Sequence, residues 1–249
     1  METVGLVSEN RAMDASLLSL ADAADVCTKV RRWFVVGGHM VNLHILHARL
    51  PLPLRLTHDA DIAVSMRTVR QGDLLSRIRA LGYTNPVYPN RFDRVADGME
   101  LSIDLLTASG TTKHHPRMNG YGIDIDGMPA VDEALDRDPL IVDLRYELST
   151  GEQRHMTVRA PDIASAIAMK TFAVAERSNP VDARDLSCLV QVATAKQTNG
   201  HFWPRGKAYN VARVQLAAQF VAPGTALSIA EEQPESQDRL RDLARSLTA

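Results

Sequence analysis

Residues 33–65 constrain what this chain can fold into more than any other stretch. They open with an apolar run, Trp33-Phe34-Val35-Val36, which reaches a corner at Gly37-Gly38. Helical spacing follows over 39–48, with Val41, Ile45 and Ala48 on one face, until Pro51 and Pro53 break it. A second apolar run over 60–65 then begins beside two aspartates, Asp59 and Asp61. The pattern is strand, glycine corner, helix, strand. Side chains alternate along a strand, so Asp59 and Asp61 face the same way. Two carboxylates held together repel each other and call for a cation. Mg²⁺ takes oxygen ligands, commonly one or two carboxylates plus the phosphates of a substrate. A Gly-Gly corner at a helix start lets backbone N–H groups come close to a phosphate. The stretch therefore reads as a metal-dependent nucleotide site. The bland alternatives are a solvated strand end for the aspartates and close helix–strand packing for the glycines.

The rest of the chain supplies the frame. Residues 1–11 show no pattern and read as a loose arm. Leu17, Leu20, Ala21, Ala24 and Cys27 predict a helix over 14–32, capped by Asp14 or Ser16 and closed by Arg31 and Arg32. A helix over 68–81, ending at Gly82, carries Arg70, Arg77 and Arg79, with Arg67 just ahead of it. After a loop over 85–90, strands over 92–95 and 99–106 join across Ala96-Asp97-Gly98, and Asp104 lies in the second. Residues 111–119, with Lys113, His114, His115 and Arg117, read as a mobile basic loop. Residues 121–130 alternate around Asp126-Gly127, a hairpin turn signal. Asp124 and Asp126 repeat the spacing of Asp59 and Asp61, but on this reading they are turn chemistry without a catalytic role. A further hairpin over 140–148 and 155–159 precedes helices over 161–176, 181–194, 210–220 and 236–247. The expected class is α+β: a mixed sheet with flanking helices over 1–160, then a helical domain over 161–249.

Composition narrows the function. A formal net charge of -2 gives no global basic field to recruit nucleic acid, so any RNA contact has to come from a local patch. Cys27 and Cys188 lie far apart and form neither a metal spacing nor a disulfide framework. His44 and His47 share a helix face without an evident third ligand. No apolar run approaches about 18 residues, and the first residues lack the apolar core of a signal peptide, so the expectation is a cytoplasmic chain with no membrane partner.

Gly37-Gly38, Asp59-x-Asp61 and Asp104, in that order, resemble the nucleotidyltransferase superfamily, whose palm-like core is shared with polymerase β. Within it, Arg55-x-Thr57-x-Asp59-x-Asp61 is similar to a motif of the AbiEii and MenT type toxins. Lys170, Arg177 and Asp182-x-x-Asp185-Leu186 resemble a second motif of the same toxins. His39 stands where many members carry Ser or Thr, and Val181 where they carry a basic residue.

The resemblance implies a polymerase-like core that transfers an NMP from an NTP to an acceptor hydroxyl. Asp59 and Asp61 would hold two Mg²⁺ ions against the triphosphate, and Asp104 would bind the second ion and accept the hydroxyl proton. Gly37, Gly38, Thr57, Lys170 and Arg177 would contact the nucleotide. Arg55, Asp182 and Asp185 would support them. The implied acceptor is tRNA, the implied role is the toxin of a bacterial toxin–antitoxin pair, and the implied protein partner is a cognate antitoxin. Two other readings stand beside it. One keeps the chemistry and changes the acceptor to an antibiotic or a protein. The other is a degenerate member that binds nucleotide only. An acidic pocket near Asp104 favours a cationic acceptor, and an open groove along 67–79 favours RNA.

Overall fold

The computed structural model describes residues 2–85, 90–120, 123–177, 179–196, 202–221, 226–231 and 233–248. The first half runs β1 (Glu2–Val7), α1 (Arg11–Val26), β2 (Trp33–Val35), α2 (Gly37–Ala48), β3 (Asp59–Val64), α3 (Met66–Arg70), α4 (Asp73–Ala80), β4 (Arg91–Ala96) and β5 (Met99–Ala108). Then come β6 (His115–Gly120), β7 (Ile123–Met128), α5 (Val131–Leu135), β8 (Leu140–Glu147) and β9 (Gln153–Ala160). The described elements that follow are all helices: α6 (Ile163–Arg177), α7 (Pro180–Ala195), α8 (Lys207–Phe220), α9 (Ala226–Ala230) and α10 (Pro234–Thr248).

The larger sheet has the order β2-β3-β5-β7-β6, and β4 also pairs with β5. Its centre is parallel, β3 with β5 and β5 with β7, while β2, β4 and β6 join antiparallel. A smaller sheet, β1-β8-β9, pairs the N-terminal strand parallel to β8. The centre of the large sheet is apolar, with Ile62, Ala63, Ile103 and Leu105 fully buried. α1 lies across β3 and β5 and seats Leu17 and Leu20 in that core. Parallel strands covered in this way lose their alternation and read as continuous apolar runs. The expected mixed sheet with flanking helices is what the chain forms. Among the described residues, no helix is long and apolar enough to cross a membrane.

Five local expectations are corrected. Residues 2–7 are a strand, because β8 offers them a parallel edge that a local reading does not reveal. α1 starts at Arg11 and ends at Val26; Asn10 caps it by accepting from the Met13 N–H at 3.0 Å. Asp14 instead accepts from the Ser149 backbone N–H at 2.8 Å. The helix expected over 68–81 is two helices, α3 and α4, divided at Gly72, which adopts φ 78°. The basic loop expected over 111–119 contains β6, paired antiparallel with β7. Asp126 and Gly127 lie inside β7, so they are not the turn. The loop expected over 85–90 falls mostly on 86–89, outside the described residues.

Candidate active site

Strand register brings the acids together. Asp61 of β3 lies opposite Asp104 of β5, and Asp104 lies opposite Arg91 of β4, so the three form one row across the sheet. Asp59 sits two residues before Asp61, on the same face. Oxygen atoms of Asp59, Asp61 and Asp104 lie within 4.8 Å of one another. The Arg91 guanidinium donates to this cluster: Nε to Asp104 Oδ1 at 2.8 Å, and the terminal nitrogen Nη2 to Asp104 Oδ2 at 2.8 Å and to Asp59 Oδ2.

The glycine corner is shaped around these acids. Gly37 opens α2 at φ 61°, and a Cβ built on it would stand 2.9 Å from Asp61 Cγ and overlap the Asp61 carboxylate. A Cβ on Gly38 would meet Thr57 at 3.0 Å and the Arg55 guanidinium at 3.2 Å. The two glycines thus let β3 and the segment before it press against the start of α2. Asn42 of α2 fastens that segment, accepting from the Arg55 N–H at 2.9 Å and donating to the Arg55 carbonyl at 2.7 Å. Thr57 is buried, and its hydroxyl donates to Asp59 Oδ1 at 3.3 Å. No side chain caps the N-terminus of α2, which begins beside Asp61.

Packing sets the electrostatics. Burial, then the charges of Asp59 and Asp104, push the Asp61 carboxyl up to about 7, with Lys170 and Arg91 opposing. Burial also raises Asp104, and the Arg91 hydrogen bonds pull it back. His39 Nε2 lies 3.3 Å from the Ser16 hydroxyl of α1. Burial lowers its imidazole to about 4, and the charge of Asp59 acts on the ring against that burial.

Lys170, Arg177, Asp182 and Asp185 form one ladder of charges. Lys170 Nζ, buried on α6, donates to Asp182 at 3.0 Å and to Asp185 at 2.6 Å. Arg177 reaches Asp182 at 3.1 Å, and Arg55 reaches Asp185 at 2.7 Å. The ladder ties the segment before β3 to α6 and α7. Between α6 and the sheet lies a cleft of about 240 Å³, lined by Gly37, Asp61, Asp104, Lys170 and Arg177. Asp126, His114 and Glu176 also line it. The His114 ring lies between the last two acids, Nδ1 3.2 Å from Glu176 and Nε2 3.7 Å from Asp126.

On sequence alone Arg91 and Glu176 have no role, Asp126 is set aside as turn chemistry and His114 falls in a basic loop. One of them was within reach. A two-residue turn at Asp97-Gly98 fixes the β4–β5 register, and that register sets Arg91 against Asp104.

The donor set fits a hard divalent cation: three carboxylates, oxygen only, close enough to share one ion. Among the described residues this is the group of acids, histidines or cysteines able to do so.

No protein-family model matches the chain, and no curated protein matches it significantly. Among solved structures, the antibiotic-resistance factor ANT(2'')-Ia aligns at 14% identity and a TM-score of 0.37, over 92% of this chain and 91% of that one. The polyadenylate synthase of Megavirus aligns at 10% and 0.36, over 98% of this chain and 51% of that one. The CdnE c-UMP-AMP synthase of Rhodothermus marinus aligns at 8% and 0.26, over 96% and 92%. Superpositions this loose carry no argument about function.

Proposed function

We propose that this protein is a metal-dependent nucleotidyltransferase that moves an NMP from an NTP to an acceptor hydroxyl. The observation that carries the reading is the row of Asp61 and Asp104, joined by Asp59, at the mouth of a cleft that Gly37 opens and Lys170 and Arg177 wall. Asp59, Asp61 and Asp104 would hold Mg²⁺. When bound, it supplies charge stabilisation for the transferring phosphoryl group and lowers the pKa of the attacking hydroxyl. The chain does the rest. The start of α2 presents backbone N–H groups to the triphosphate. Arg177, half exposed and paired only at its tip with Asp182, can turn to phosphate oxygens, while the buried Lys170 holds both Asp182 and Asp185. Asp104, raised by burial, takes the acceptor proton.

By the resemblance of its two motifs, the acceptor is tRNA and the protein is the toxin of a toxin–antitoxin pair. A groove at the far end of β3 is lined by Lys29, Arg31, Arg67 and Arg77, which could contact phosphates, together with Asp73, Asp132 and an Arg32–Asp136 ion pair. A second reading, a cationic small-molecule acceptor, is favoured by Asp126 and Glu176 on the wall beside Asp104.

The test is transfer of label from each α-labelled NTP to tRNA, to an aminoglycoside and to the protein itself, by the native chain and by Asp59→Asn, Asp61→Asn and Asp104→Asn. The proposal expects metal-dependent labelling of one acceptor that all three variants lose. Labelling that survives in Asp61→Asn overturns it.

A further inference from the structure

We infer that Arg91 is a positioning residue that closes the carboxylate cluster in the metal-free protein and must leave it before a divalent cation can load. The inference rests on the metal-dependent reading above.

Three carboxylates in one corner repel strongly in a partly buried setting, so a cation there stabilises the metal-free fold wherever they are ionised. The nearby alternatives are committed elsewhere. Lys170 Nζ is held by Asp182 and Asp185, and Arg55 by Asp185. Arg91 fills the role. It grips both oxygens of Asp104, each at 2.8 Å, and reaches Asp59 with the same terminal nitrogen. A planar guanidinium matches a carboxylate in this two-point way, which a lysine cannot do. It thereby occupies oxygens of two of the three carboxylates that could hold a metal ion. An arginine does not lose its proton in a protein, so it cannot yield by deprotonation and has to swing aside. The route is open, because the Arg91 side chain is 31% exposed. The neighbouring residue, Asn90, lines the cleft itself.

The position of Arg91 is built in. The Asp97-Gly98 turn, with φ of 51° and 70°, locks β4 on β5 so that residue 91 always faces residue 104. An arginine there acts as an internal competitor. It lowers the affinity for free metal ions and leaves loading to a partner strong enough to displace it, such as a metal–triphosphate complex.

The experiment is calorimetric titration of Mn²⁺, without nucleotide, into the full chain near pH 8, with melting curves in EDTA and in excess Mn²⁺. Native protein, Arg91→Gln, Arg91→Lys and Asp61→Asn are compared. Arg91→Gln is expected to bind Mn²⁺ about tenfold tighter than native protein. It should also melt lower in EDTA and regain the difference in Mn²⁺. Arg91→Lys, which keeps the charge but loses the fork, should fall between the two, and it carries the comparison if the glutamine variant does not fold. Equal or weaker binding by both Arg91 variants overturns the inference while leaving the metal site intact. If Asp61→Asn binds as tightly as native protein, the metal site fails and Arg91 with it.

Discussion

The Asp61 carboxylate occupies the space that a side chain at residue 37 would need. Gly37 is therefore required twice over: by its backbone angle, φ 61°, and by the acid that fills the place of its Cβ. Gly37→Ala should strain the start of α2 by about 1–2 kcal/mol and push Asp61 out of the row with Asp104. A displacement of this kind lowers transfer about a hundredfold. Gly38→Ala meets Thr57 and Arg55 at 3.0–3.2 Å and has no positive φ, so its loss should be smaller. Urea melts and labelled-NTP turnover of the two variants check the order. Equal turnover by Gly37→Ala and native protein would show that Asp61 does not need this glycine.

Metal binding should be linked to a proton. Burial and two neighbouring acids raise Asp61 to about 7, so below that pH it is protonated and has to ionise to bind a cation. Affinity for Mn²⁺ should climb with pH from about 5.5 and level off above about 7.5, with one proton released per ion on the rising limb. Titrations in buffers of different ionisation enthalpy count that proton. An affinity flat across the range removes Asp61 from the ligand set.

The Lys170 ladder should bear on stability as much as on chemistry. Lys170, Asp182 and Asp185 are all buried, and the lysine neutralises both acids. Lys170→Met leaves two carboxylates facing each other with only the partly exposed Arg55 and Arg177 to offset them. The expected loss is about 3–5 kcal/mol, read from urea midpoints at neutral pH. Replacing Asp182 and Asp185 by Asn in the same chain should recover much of it, because the repulsion is gone. A loss under about 1 kcal/mol would mean the ladder behaves like a surface pair.

What the sequence made legible follows from how local each cause is. Asp59 and Asp61 share a face by strand alternation alone, and Gly37-Gly38 marks its corner through backbone freedom. Arg91 was legible in principle. Counting outward from the two-residue turn at Asp97-Gly98 pairs Ala96 with Met99 and so, at the far end, Arg91 with Asp104. The row from Asp61 to Asp104 is different. Parallel strands share no turn, so their register is set by α1 and the core rather than by neighbours in the chain. β1 stayed hidden for the same reason, since its partner β8 is distant in sequence. Asp126-Gly127 has the composition of a turn pair, but alternation through Ile123, Ile125 and Gly127 prevails and the pair is absorbed into β7. The approach of Glu176 and His114 to the cleft depends on how α6 docks, which nothing local encodes.

The two buried imidazoles should make the fold sensitive to mild acid. His39 sits against Ser16, and His44 Nε2 lies 3.0 Å from the Pro161 carbonyl; burial lowers both rings to about 4. In the unfolded chain each titrates near 6.5. As pH falls below 6.5, the unfolded state takes up protons that the folded state refuses, so stability is full above that value and is lost toward pH 4, by about 2–3 kcal/mol for each ring. Asp61 works in the opposite sense. It holds its proton in the folded state up to about 7 but releases it near 3.8 when unfolded, so it adds stability as pH falls through that window. The native chain should therefore show a shallow acid limb in urea midpoints between about pH 7 and 4.5. Asp61→Asn removes the opposing group and should steepen that limb, whereas His39→Gln should flatten it. A limb of the same slope in all three proteins would show that neither Asp61 nor His39 titrates as its surroundings require.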